Sequence, residues 1–321
     1  SYEETVTIAP RNYPLKFRQK STLENHYALI GIAYIQKNYP LYYEATNEAG
    51  LSMAGLNFPG NAYYGEAMEG KDNIAPFELI LWILRQCKTV EEVKKLMEYT
   101  QIMHMDFRED FKTTPLHWMV ADKKSSMVIE SMEDGIKLYD NPVGVLTNNP
   151  PFVQQLFGLN NYMHLSIDTP KNYWPKSVGL KTYSRGMGAL GLPGDLSSVS
   201  RFVRAAFTKM HSLSDESEAE SVSQFFHILG SVTQQRGLVR LDDNVYEKTI
   251  YTSCCNMSQG IYYYKTYDCG SIVCVDMNKE DLNGEKTVAF PYMSEKATDT
   301  CFYIYIICNF NIIIKSARKN P

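Results

Sequence analysis

Strand-like and helix-like patterns follow one another in blocks along these 321 residues, and that order restricts the fold more than any other feature. The first block holds an apolar run at 26–36 (His-Tyr-Ala-Leu-Ile-Gly-Ile-Ala-Tyr-Ile-Gln), suited to a strand buried on both faces. Residues 42–46 and 51–54 flank Asn47-Glu48-Ala49-Gly50, whose Asn and Gly favour a tight reversal, so the pair predicts a hairpin. Two helices follow. Residues 76–86 carry Phe77, Leu79, Ile80, Ile83 and Leu84 at helical spacing behind Pro76. Thr89-Val90-Glu91-Glu92 matches a capping box ahead of the stripe Val90, Val93, Leu96 and Met97. A second strand block is expected at 116–121, 126–131, 136–139 and 143–147, with Asp134-Gly135 as a turn. Helices are expected again over 200–210 and 221–232, then strands over 250–254, 261–266 and 271–276. Crossover βαβ units would interleave the two patterns one by one, whereas blocks point to stacked α and β layers.

Composition narrows the function classes. A hydrophobic fraction of 44% with 21% charged residues is that of a globular chain with ample apolar surface for a core. The formal charge of -4 leaves no basic excess, so neither nucleic acid nor a membrane surface is expected as a partner. The six histidines (His26, His104, His117, His164, His211, His227) include no pair at metal-ligand spacing, and no metal is expected. Seven cysteines, an odd number without a Cys-x-x-Cys, fit a reducing, cytoplasmic compartment better than a disulfide framework or zinc site. The apolar run at 301–314 is shorter than the roughly 20 residues a membrane span needs and is interrupted by Asn309 and Asn311. It reads as a terminal strand or a divergent end.

Three motifs carry the chemistry. Gly55-Leu56-Asn57-Phe58-Pro59, Val145-Leu146-Thr147-Asn148-Asn149-Pro150, and Gly191-Leu192-Pro193-Gly194-Asp195 followed by Ser200-Arg201-Phe202 occur in that order. Taken singly, each is bland: Asn57 suits a turn, Asn148 a helix start, and Arg201 a surface ion pair. As an ordered set, supported by Pro10-Arg11-Asn12-Tyr13-Pro14 and Thr114-Pro115-Leu116-His117-Trp118-Met119, they resemble the choloylglycine hydrolase family, amidases of the N-terminal nucleophile group. The resemblance covers residues 1–293, expected to form one domain with residues 294–321 as a divergent tail.

That resemblance implies a four-layer αββα sandwich and a bile salt hydrolase that cleaves the amide of glycine- or taurine-conjugated bile salts. Asn57 in place of the tyrosine common in penicillin V acylases sets that alternative second. In the family an N-terminal cysteine attacks, and its own α-amine, with a pKa near 8, carries the proton. No cofactor is implied. Asn57 and Asn148 take the oxyanion positions and Arg201 the place beside the nucleophile. Leu56, Asn57, Phe107 and Phe111 are expected to meet the substrate. The family's Cys and its Gly-Arg-x-x-Asp element are not found here, and Ser1 aligns after them. The chain is therefore expected to be an N-terminally truncated, inactive form, with a non-catalytic bile-salt-binding remnant as the alternative. A homotetramer is also implied by the resemblance.

Overall fold

A computed structural model of the chain describes residues 4–20, 26–242, 244–291 and 307–308. The strands β1 (Glu4–Ala9), β2 (Leu29–Gln36), β3 (Tyr39–Asn47) and β4 (Ser52–Asn57) come first, then α1 (Leu79–Leu84) and α2 (Val90–Met97). Next are β5 (Leu116–Ala121), β6 (Ser126–Met132), β7 (Gly135–Asp140), the short β8 (Val145–Leu146) and α3 (Phe152–Gly158). Helices α4 (Ser198–His211) and α5 (Glu218–Gly230) lead to a hairpin of β9 (Val239–Asp242) and β10 (Val245–Glu247). The last strands are β11 (Tyr251–Asn256), β12 (Ile261–Thr266), β13 (Val273–Asp276) and β14 (Val288–Pro291).

Eight strands form one antiparallel sheet in the order β14-β1-β2-β3-β4-β5-β6-β7, and β11-β12-β13 form a second sheet. Period-two alternation gives the large sheet two buried faces. Leu29, Ala45, Met53, Trp118, Val120 and Ile129 pack against α1 and α2. Val6, Ile8, Ile30, Leu56, Met119 and Val128 face Tyr262, Tyr264 and Val275 of the second sheet, beyond which lie Phe202 of α4 and Phe225 and Leu229 of α5. The order is thus helices, sheet, sheet, helices: the stacked layers expected from the block order, in the αββα arrangement implied by the family resemblance. The two sheets are joined by a buried polar contact: Glu44 of β3 accepts hydrogen bonds from Ser253 of β11 and Tyr262 of β12.

Local departures have local causes. The helix expected over 76–86 divides into a 3-10 turn (Pro76–Glu78) and α1, which stops at Leu84. There the buried Asn47 amide donates to the carbonyls of Leu84 and Cys87, both at 2.7 Å, so the β3–β4 turn caps the helix. Thr89 Oγ1 accepts the Glu92 N–H as expected, but the Glu92 carboxylate reaches back to Lys88 N–H, one residue earlier than in a capping box. The strand expected over 143–147 shrinks to Val145–Leu146, because Asn141 bends the chain by accepting from Gly144 N–H and donating to Val145 O. The expected tail at 294–321 lies outside the described residues except for Ile307–Cys308, which pair with β8.

Candidate active site

The three motifs meet at one end of the large sheet. Asn57 is the last residue of β4. Phe58 donates to Pro115 O on the β5 side, so by strand alternation the N–H and C=O of Asn57 point away from β5. The β3 pairing to β4 ends at Glu44↔Ala54, which leaves that side of Asn57 open. Gly55 lets this strand end pack closely on Trp118, since a Cβ there would lie 3.1 Å from Trp118 Nε1.

Asn148 Nδ2 donates to Asn57 O at 3.0 Å, and Arg201 Nη2 donates to Asn148 Oδ1 at 2.8 Å. A guanidinium only donates, so this contact settles which end of the Asn148 amide is oxygen. The second Nδ2 proton is then left for the cleft. Gln155 holds the Asn148 backbone from below, donating to the carbonyls of Asn148 and Pro150 at 2.6 Å each.

Arg201 sits in the first turn of α4, 3% exposed, with Nε donating to Leu196 O at 3.0 Å. Burial lowers its guanidinium to about 10, Glu247 on β10 opposes that shift, and Arg204 adds to it, so the group stays cationic near neutral pH. Its Nη1 is buried with no hydrogen-bond partner among the described residues. Glu247 is raised by burial, with Arg201 pulling the other way. The Gly-Leu-Pro-Gly-Asp motif builds the start of this helix. Ser197 caps α4 by accepting the Ser200 N–H. Asp195, pulled down to about 2 by hydrogen bonds from Ser197 and Ser200, braces that cap, and Arg204 ties Pro193 O and Asp195 O to the helix.

Around this cluster is an open cleft of about 880 Å³, lined by Asn57, Asn148, Arg201, Leu238, Leu241 and Glu247 among others. Two N–H donors converging beside a buried cation can stabilise an oxyanion. Of the residues expected to meet the substrate, only Asn57 lines this cleft. Leu56 is fully buried in the core between the sheets. Phe107 is 8% exposed and packs edge-on to Phe77 and Phe111, beneath the Arg18 guanidinium. The apolar rim comes instead from Leu238 and Leu241, exposed at 66% and 43% on and beside the β9–β10 hairpin. The alternation Val239-Arg240-Leu241 ahead of Asp-Asp-Asn at 242–244 was the available sequence signal for that hairpin. None of the five cysteines whose side chains are described lines the cleft, and burial pushes the thiols of Cys87 and Cys255 up to about 12. Among the described residues no group of side chains is arranged to hold a metal ion.

The site thus joins the end of β4, the Asn148 segment and a buried arginine at the head of a cleft in a layered αββα body. The model of the choloylglycine hydrolase family, described as linear amide C-N hydrolases, matches residues 1–290, and the chain belongs to that family. It is 57% identical over 295 residues to the bile salt hydrolase/transferase of Lactiplantibacillus plantarum, covering 92% of this chain and 91% of that protein. A cysteine-to-alanine mutant of the conjugated bile acid hydrolase from Clostridium perfringens superposes with a TM-score of 0.85 at 34% identity, over 93% of each chain. Penicillin V acylase from Agrobacterium tumefaciens shares the fold, with a TM-score of 0.71 at 18% identity over 93% of this chain and 86% of that one.

Proposed function

We propose that this protein hydrolyses the amide of glycine- or taurine-conjugated bile salts, with Asn57 N–H and Asn148 Nδ2 as oxyanion donors and Arg201 as the cation beside the nucleophile. The observation that carries the reading is the Arg201–Asn148–Asn57 chain of hydrogen bonds at the head of an open cleft with an apolar rim. In the proposed reaction a cysteine thiolate attacks the amide carbon. The C–N bond breaks as the amine takes a proton, and water then releases the bile acid from the thioester. Leu238 and Leu241 supply the kind of apolar wall a steroid needs, with few polar anchors deeper in. The relatives' names support the substrate class, and one of them adds acyl transfer as a second outcome of the same thioester.

The attacking thiol is none of the five cysteines whose side chains are described: none lines the cleft, and burial raises the thiols of Cys87, Cys254 and Cys255 away from the reactive thiolate. The test is to read the DNA upstream of the Ser1 codon and to assay the protein translated from the whole reading frame. An in-frame cysteine followed by Gly-Arg-x-x-Asp, with release of taurine from taurocholate, is the expected result. Cleavage of penicillin V alone would overturn the substrate assignment, and taurocholate binding without turnover would favour the non-catalytic reading.

A homo-oligomer, a tetramer by family resemblance, is part of the same proposal. It is supported by an exposed stretch between α3 and α4 in which Tyr173, Trp174 and Tyr183 are 88%, 67% and 81% exposed. Among the described residues no helix is long and apolar enough to cross a membrane. Cytoplasmic residence rests on the unpaired cysteines, the five whose side chains are described being free.

A further inference from the structure

We propose that the buried His117–Glu130 pair is a positioning device that sets the two oxyanion donors relative to each other. The proposal rests on the reading of Asn57 and Asn148 given above. His117 on β5 and Glu130 on β6 are both 0% exposed. His117 Nε2 lies 2.8 Å from Thr147 O. A carbonyl only accepts, so Nε2 carries a proton. Nδ1 lies 3.0 Å from Glu130 Oε1, which also accepts the Phe152 N–H at 2.9 Å. On the flat side, the Phe58 ring stacks on the imidazole with centroids 4.2 Å apart and planes at 7°.

The chain positions of these contacts give the pair its meaning. Thr147 immediately precedes Asn148, and Phe58 immediately follows Asn57. One ring therefore touches both segments that supply the donors, while Glu130 fixes that ring and the start of α3 together. Both ring nitrogens are engaged and the ring is sealed from solvent, so His117 does not exchange protons with substrate and is not a catalytic residue. The pair is costly as plain core. Glu130 Oε2 is buried with no hydrogen-bond partner among the described residues, a penalty two apolar side chains would not carry. An apolar aromatic residue at position 117 would keep the stack on Phe58 and lose the hold on Thr147.

The test uses His117→Phe, which keeps a ring against Phe58, and His117→Gln, which keeps a donor near Thr147 O. In the protein translated from the whole reading frame, His117→Phe should lower kcat for taurocholate by roughly 10- to 100-fold with KM little changed, and His117→Gln should recover part of the loss. Full kcat in folded His117→Phe would overturn the proposal, even if its melting temperature fell. Asn148→Ala separates the two ideas. If it also keeps full kcat, the oxyanion reading fails. If Asn148→Ala is crippled and His117→Phe is not, only the positioning role fails. Should the parent protein show no turnover, the 321-residue chain itself decides by NMR. His117→Phe should broaden or split the Asn148 side-chain amide signals, and an unaltered amide pair would overturn the proposal.

Discussion

Arg201 and Asn148 behave as one unit. The guanidinium donates to both Leu196 O and Asn148 Oδ1, and the second contact keeps the amide nitrogen turned toward Asn57 and the cleft. A lysine at 201 keeps the charge but lacks the planar fork that serves both acceptors. Arg201→Lys in the protein from the whole reading frame is therefore expected to lose roughly 100-fold in kcat, read from initial rates on taurocholate. Asparagine and arginine in the right order were visible in the sequence. The direction of the Asn148 amide was not, because it is set by a contact between residues 53 positions apart.

Strands β2 and β3 touch too closely for any side chain at Gly31. A Cβ there would lie 2.0 Å from Glu44 O and 2.6 Å from Ala45 Cα, both backbone atoms that move only if the sheet moves. Gly31→Ala is expected to destabilise the fold by roughly 3 kcal/mol, measured by urea unfolding. The contact between sheets is the second element-scale feature. Burial raises the Glu44 carboxyl above its usual value of 4.5, with hydrogen bonds from Ser253 and Tyr262 opposing the shift. Because the folded group holds its proton more tightly than the unfolded one, its contribution to stability is complete below 4.5 and is lost as pH rises through the folded value. Glu44→Gln keeps an oxygen for both hydroxyls and removes the titration. Its melting temperature should thus fall less than the parent's from acidic to neutral pH, while Glu78 and Glu247, also raised by burial, keep part of the slope. The strand and helix blocks were legible from periodicity, since α2 and β5 follow their apolar patterns closely. The β9–β10 hairpin was not read, because its strands are short, at most half-buried, and carry little hydrophobic pattern.

For the molecule as a whole, the exposed aromatics between α3 and α4 predict self-association. Replacing Trp174 and Tyr183 together by serine should lower the sedimenting mass while leaving the circular dichroism spectrum unchanged, since neither side chain packs in the body of the fold. The block order of strands and helices was enough to specify stacked layers, and the ordered Gly-Leu-Asn, Thr-Asn-Asn-Pro and Gly-Leu-Pro-Gly-Asp motifs were enough to specify the family. Both are written in local spacing, which a linear string records in full. Which side chains face the cleft was settled by packing at long range. Phe107 packs on Phe77 and Phe111 and is not among the residues lining the cleft, whereas Leu238 and Leu241 line it from a hairpin about 180 residues beyond Asn57. Burial and charge at Arg201 likewise arise where α4, β8 and β10 converge, and such a convergence exists only once the layers have stacked.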